Sequence, residues 1–147
     1  LAPPLARPAR PAGRGGRRKS ARFCFPFPPA ACYAYRMLTF SDYQERAFST
    51  AVYPGRGEGN FTYPALGLAG ETGEVCEKLK KAVRDDGGVV SPARKALLAK
   101  ELGDVLWYVA ALSTELGLSM EEVARGNLAK LASRMERGVI HGNGDER

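Results

Sequence analysis

Residues 67–81 read GLAGETGEVCEKLKK, and they place two glutamates, Glu71 and Glu74, three positions apart. Residues 100–109 read KELGDVLWYV and repeat the pattern with Glu101 and Asp104. Residues three positions apart lie on one face of an α-helix, because the helix has 3.6 residues per turn. Apolar residues recur at spacings of three and four beside each acidic pair, which is typical of amphipathic helices. The chain therefore repeats an acid-x-x-acid pattern on two predicted helices.

Start and stop signals divide the chain after residue 38 into four helical segments. Thr39 or Ser41 can cap the first segment, and capping residues or prolines open the other three. Glycine or proline ends the first three segments. The segments are residues 42–53, 63–86, 91–116 and 119–137. Because no stretch alternates with a period of two over a strand's length, the sequence predicts an all-α fold resembling a four-helix bundle.

Residues 1–36 differ in composition from the rest of the chain. They contain seven of the ten prolines and eight basic residues without one acid, a net charge of +8. Residues 37–147 hold fourteen basic and sixteen acidic residues, a net charge of −2. Proline fixes φ and removes an amide donor, so we predict a disordered basic extension over 1–36 and one helical domain over 37–147. With no apolar run near the roughly 18 residues of a membrane span, we expect a soluble cytoplasmic protein that needs no membrane or specific nucleic acid.

Polar residues form a second stripe, one position before the apolar stripe, on three of the predicted helices. This stripe comprises Glu71, Glu74, Lys78 and Lys81 on the second helix, Glu101, Asp104 and Tyr108 on the third, and Asn127, Lys130 and Arg134 on the fourth. Packed together, the three helices would line one cleft. Two carboxylates about 5 Å apart repel by roughly 3 kcal/mol at an effective dielectric of 20, so four of them need cations between them. Oxygen ligands of this kind suit Mg²⁺.

Glycines interrupt both acidic helices at Gly70, Gly73 and Gly103. A glycine inside a helix costs about 0.5–1 kcal/mol relative to alanine. We therefore expect close helix approach, or room for a ligand beside the carboxylates, at these positions.

The acidic pairs together resemble the signature of the MazG-like all-α nucleoside triphosphate pyrophosphohydrolases. The positions that carry the resemblance are Glu71-x-x-Glu74, a gap of 26 residues, Glu101-x-x-Asp104, Tyr108 and Asn127-x-x-Lys130. The resemblance covers about residues 40–147. It implies hydrolysis of ribo- or deoxyribonucleoside triphosphates to the monophosphate and pyrophosphate, a house-cleaning role in the nucleotide pool, dependence on Mg²⁺ or Mn²⁺, and a homodimer or dimer of dimers.

The resemblance also implies roles for individual residues. The four carboxylates would be both the metal ligands and the catalytic groups, with one glutamate orienting or deprotonating the attacking water. The expected substrate contacts are Tyr108 at the sugar, Asn127, Lys130, Arg134, Lys78 and Lys81 at the phosphates, and Phe61 and Tyr63 at the base.

Three other interpretations remain open from the sequence. Each acidic pair could serve only in surface ion pairs such as Glu74–Lys78, which contribute about 0.3–0.5 kcal/mol each. A phosphoribosyl-ATP pyrophosphohydrolase would share the metal site and the reaction type. A helical dimerisation or nucleic-acid-binding module would use residues 1–36 as a basic arm, and its binding would weaken with salt.

Overall fold

The computed structural model describes residues 38–141, and this part of the chain is entirely helical. It contains α1 (Phe40–Ser49), α2 (Thr62–Asp85), α3 (Pro92–Glu115) and α4 (Met120–Glu136), and no strand. The four predicted helices and the all-α class are confirmed. The basic extension predicted over residues 1–36 lies outside the described residues.

Capping interactions explain where the helices begin. Thr39 caps α1, because its hydroxyl accepts from the Asp42 N–H while the Asp42 carboxylate accepts from the Thr39 N–H. Ser91 and Ser119 accept from the N–H three residues later and cap α3 and α4. Gly88 and Gly117 adopt φ values of 82° and 67° after α2 and α3, a region that L side chains avoid.

Helix α1 ends at Ser49, four residues earlier than predicted. Ala51 and Tyr53 are buried against Ala111 of α3, which they reach because the chain leaves the helix before them. Trp107 of α3 donates a 2.8 Å hydrogen bond to the hydroxyl of Thr50. Tertiary packing on α3 therefore overrides the helical pattern of residues 50–53.

Helix α3 is the centre of the fold, since both α1 and α2 pack along it. Ala110 and Ala111 are fully buried, and their small side chains let the neighbouring segments approach closely. Helix α4 packs principally on α1. Gln44 of α1 fixes this corner, because it donates to the Leu118 carbonyl at 2.9 Å and accepts from the Met120 N–H at 2.8 Å.

Much of the predicted apolar stripe remains exposed in the single chain. Leu102 of α3 and both Leu128 and Met135 of α4 are more than half exposed. The helices therefore do not close into one sealed bundle within the chain. Within the described residues, none of the helices is long and apolar enough to cross a lipid bilayer.

Candidate functional site

Three carboxylates meet where α2 lies against α3. Glu71 of α2 and both Glu101 and Asp104 of α3 each offer an oxygen, and these oxygens lie within 4.8 Å of one another. Glu101 and Asp104 share one face of α3 because they are three residues apart. Glu71 and Glu101 are half-buried, whereas Asp104 is exposed.

Glu74 is not a member of this carboxylate group. Its side chain is 59% exposed, and its carboxylate lies 3.5 Å from the Lys78 ammonium. The same ammonium lies 2.8 Å from Glu101, whose side chain is 16% exposed. Lys78 therefore links Glu74, the fourth predicted ligand, to Glu101 of the carboxylate group. Of the four carboxylates expected to converge, three do so, and a lysine bridges to the fourth.

The carboxylates affect one another electrostatically. Burial raises the pKa of Glu71 above its ordinary value, and the nearby negative charges of Asp104, Glu101 and Glu74 add to this rise, while Lys78 opposes it. Lys78 has a raised pKa, chiefly because it donates to Glu101. This mutual repulsion favours binding of a cation among the three carboxylates.

The donor set fits a hard divalent cation. Oxygen ligands around an octahedral Mg²⁺ are about 3.0 Å apart when adjacent and about 4.2 Å apart when opposite, given a metal–oxygen distance of about 2.1 Å. The three oxygens, separated by up to 4.8 Å, can reach that geometry when their side chains move toward a common centre. Mg²⁺ commonly keeps several water molecules and takes substrate phosphates as further ligands, so three carboxylates are sufficient. Glu71, Glu101 and Asp104 would hold the ion.

Tyr108 lies beside the carboxylate group, one turn after Asp104 on α3. Its ring packs directly on the backbone of Gly67 in α2, so that a Cβ added at Gly67 would lie 2.1 Å from the ring carbon Cε1. Burial raises the pKa of the Tyr108 hydroxyl, and Tyr63, Glu71 and Asp104 add to the rise. The absent side chain of Gly67 thus sets the position of a predicted substrate residue.

The glycines singled out in the sequence have a different environment. A Cβ at Gly70, Gly73 or Gly103 would meet no atom within 4 Å. The prediction that these glycines allow close approach between helices is therefore wrong for this chain. Room for a ligand remains as their expected role.

Two tyrosines continue the aromatic surface away from the carboxylates. Tyr63 in the first turn of α2 stacks on Tyr53, with ring centroids 4.7 Å apart and planes 17° apart. Tyr53 is buried, whereas Tyr63 is 46% exposed and Phe61 is also exposed. Tyr63 therefore has one covered face and a substantial exposed surface, as a substrate-contacting aromatic requires.

Glu115 at the end of α3 accepts hydrogen bonds from the loop of residues 55–60, which precedes α2. Its carboxylate accepts from the Gly57 N–H at 2.8 Å, the Gly59 N–H at 2.9 Å and the Tyr53 hydroxyl at 2.7 Å. Burial pushes the pKa of Glu115 upward, but these bonds and one from the Asn60 backbone outweigh it and hold the pKa below its ordinary value.

The remaining predicted substrate residues lie elsewhere. Lys81 pairs at 3.2 Å with Glu77, which is not one of the three grouped carboxylates. Asn127 and Lys130 are exposed on α4, and Arg134 is buried there with 5% exposure. Because α4 packs principally on α1, no extensive helix contact within the described chain brings these three residues to the carboxylates.

Sequence reasoning missed three residues of the site. Tyr43 of α1 lies near Asp104, whose charge adds to the effect of burial in raising the pKa of Tyr43. Gly67 and Glu115 were also missed, although Gly67 opens the stretch that carries the first acidic pair. The unusual density of glycines in residues 55–59 was the one signal that could have pointed to a carboxylate anchor such as Glu115.

Comparison with known proteins identifies the family of this chain. No solved structure matches the chain significantly. The Gene 37 protein of Mycobacterium phage L5 is 46% identical over 109 residues, which cover 71% of this chain and 96% of the phage protein. Residues 62–139 match the MazG nucleotide pyrophosphohydrolase domain, so all four acids of the repeated pattern fall within the matched region. The chain therefore belongs to the MazG nucleotide pyrophosphohydrolase family.

Proposed function

We propose that this protein hydrolyses ribo- or deoxyribonucleoside triphosphates to the monophosphate and pyrophosphate, with Mg²⁺ as the cofactor and Mn²⁺ as a substitute. The observation that carries the proposal is the group of Glu71, Glu101 and Asp104, whose oxygens lie within 4.8 Å of one another at the α2–α3 contact. In the cell, this reaction would remove unwanted nucleotides from the pool.

The residues around the carboxylates suit this reaction. A divalent ion bound there would act as a Lewis acid, which polarises phosphate oxygens and lowers the pKa of a bound water. Lys78 stands next to the carboxylates and can turn its ammonium toward a phosphate. A carboxylate of the group accepts a proton from the attacking water as the water oxygen bonds to the α-phosphorus. The anhydride bond between the α- and β-phosphates then breaks, which releases pyrophosphate and leaves the monophosphate. Tyr108 borders the same space and can pack on the sugar.

The test is a product assay with a matched pair of variants. Purified protein is incubated with the canonical dNTPs and NTPs, dUTP and phosphoribosyl-ATP, with Mg²⁺ or with EDTA, and pyrophosphate and monophosphate are quantified. Glu71→Gln should lower turnover by at least about 100-fold, since a site of this kind supplies several kcal/mol of charge stabilisation. Glu77→Gln is the control, because Glu77 lies on the same helix but pairs with Lys80 and Lys81.

The outcomes separate the alternatives. Turnover of phosphoribosyl-ATP alone would replace the proposed substrate class with that of a phosphoribosyl-ATP pyrophosphohydrolase. Orthophosphate as the product, or no product from any nucleotide, would reject the proposed reaction. Equal activity of Glu71→Gln and wild type, with helicity unchanged by circular dichroism, would reject the assignment of the site.

We further propose that the active form is a homodimer or a dimer of dimers. The supporting observation is the large apolar surface of α4, where Leu128 is 67% exposed beside Leu131 and Met135. An exposed patch of this kind on a small domain favours association. Leu128→Glu should reduce the mass found by light scattering after gel filtration. Val52→Glu, a charge on an exposed loop position, should not, and a monomeric wild type would contradict the proposal.

A further inference from the structure

Glu115 lies eleven residues after Asp104 on α3, far along the helix from the carboxylate group, and its carboxylate accepts several hydrogen bonds. Two backbone N–H groups and one tyrosine hydroxyl donate to it at 2.7–2.9 Å. Hydrogen bonds to an ionised group are stronger than neutral ones. Gly57 and Gly59, which supply the two N–H groups, have φ values of 76° and 81°. The positive φ values of these glycines thus allow the loop to direct its N–H groups at the Glu115 carboxylate.

The same carboxylate is connected to a stacked pair of tyrosine rings that lies near the site. Its hydroxyl donor, Tyr53, is buried and lies under Tyr63, with the ring centroids 4.7 Å apart. Tyr63 is close enough to Tyr108 to influence its pKa, and Tyr108 lies beside Glu71 and Asp104. We name Tyr53, Tyr63 and Tyr108 the tyrosine row. It leads from Glu115 to the carboxylate group.

We propose that Glu115 is a positioning residue for the nucleobase: by fixing Tyr53 and the loop of residues 55–60, it holds Tyr63 with an exposed face on which the base of the substrate stacks. The inference rests on the proposed function, and it adds a residue that touches neither phosphate nor metal. Tyr53 covers one side of Tyr63, and the ring remains 46% exposed. Stacking of a base on an aromatic ring contributes about 1–3 kcal/mol and tolerates different bases.

Glu115→Gln is the decisive variant, because glutamine keeps the size of the side chain and loses the charge that accepts three donors. Binding is measured by calorimetry with Mg²⁺ present, using two probes. One probe is a non-hydrolysable α,β-imido dNTP, tried with each of the four bases. The other is pyrophosphate, which has neither base nor sugar. We expect the nucleotide Kd to rise about 10-fold, the equivalent of about 1.4 kcal/mol, and the pyrophosphate Kd to stay within about 2-fold.

Two further variants control for the chemistry of the change. Glu58→Gln makes the same substitution in the same loop, at an exposed side chain, and should leave both Kd values unchanged. Tyr53→Phe keeps the stacked ring but removes the hydroxyl that donates to Glu115, so its nucleotide Kd should fall between those of wild type and Glu115→Gln. In kinetics, Glu115→Gln should raise KM about 10-fold with kcat nearly constant, because it weakens substrate binding without touching the reacting groups.

Two results would overturn the inference. If Glu115→Gln raises the Kd of pyrophosphate as much as that of the nucleotide, Glu115 stabilises the fold and does not position a residue for the base. If neither Kd changes, Glu115 does not control how Tyr63 binds the base. Failure of the proposed function looks different, because wild type itself would then bind no nucleotide and release no pyrophosphate.

Discussion

Replacing Gly67 with alanine tests the contact that places Tyr108 at the site. The new Cβ would lie 2.1, 2.3 and 2.6 Å from three carbons of the Tyr108 ring. Carbon atoms in contact are normally about 3.5–4.0 Å apart, so the ring must move by at least about 1 Å in the region of these three atoms. Tyr108 cannot give way by a rotation at its tip, since the clash falls on the ring. It must leave its position.

The expected cost follows from two opposing effects. Inserting a methyl group into a packed contact costs about 1–3 kcal/mol, and a clash on three ring atoms belongs at the upper end. Alanine favours the helix over glycine by about 1 kcal/mol, which offsets part of this cost. We expect Gly67→Ala to lower the free energy of unfolding by about 2 kcal/mol. For a domain of this size, the melting temperature should fall by about 10 °C.

The assay is thermal and urea unfolding of Gly67→Ala and Gly70→Ala, measured together. Gly70 is on the same helix and an added Cβ there meets no atom within 4 Å, so alanine should stabilise by up to about 1 kcal/mol. Trp107 packs edge-on against Tyr108 with centroids 4.9 Å apart, and as the only tryptophan it reports ring displacement by fluorescence. In a Tyr108→Ala background, Gly67→Ala should become neutral or stabilising. A Gly67→Ala protein as stable as Gly70→Ala, with unchanged fluorescence, would refute the reasoning.

Three further predictions concern single side chains. Lys78→Gln should tighten Mn²⁺ binding several-fold at low salt, because the Lys78 ammonium competes with the ion for the Glu101 carboxylate. Electron paramagnetic resonance titration measures this, and Lys81→Gln should show no effect. The pKa of Glu115 is lowered by folding, so its stabilisation is present above the unfolded value of about 4.3 and is lost as pH falls through the lower folded value. The difference in urea midpoint between wild type and Glu115→Gln should therefore be large at pH 7 and shrink below pH 4, and a constant difference would contradict the role of the charge. Ser119→Ala should cost about 1 kcal/mol by removing the cap of α4, and an unchanged melting temperature would show that the cap is dispensable.

The sequence by itself determined the features that depend on neighbours along the chain. Apolar spacing of three and four, with caps such as Ser91 and Ser119, predicted all four helices. The acid-x-x-acid spacing placed Glu101 and Asp104 on one face of a helix, because 3.6 residues make a turn. These rules act within a few residues, so they can be read from the order of the residues alone. The early end of α1 escaped them, since burial of Ala51 and Tyr53 against α3 decided it.

Only the tertiary structure decided which side chains meet between helices. It joined Glu71 to Glu101 and Asp104, and it placed Lys78 between Glu101 and the exposed Glu74. It packed α4 principally on α1, whereas the sequence predicted that α4 would line the same cleft as the carboxylates of α2 and α3. The distance between side chains on two helices depends on the angle at which the helices cross and on where small residues allow their backbones to approach. Both depend on residues far apart in the chain, and no local pattern of sequence specifies them.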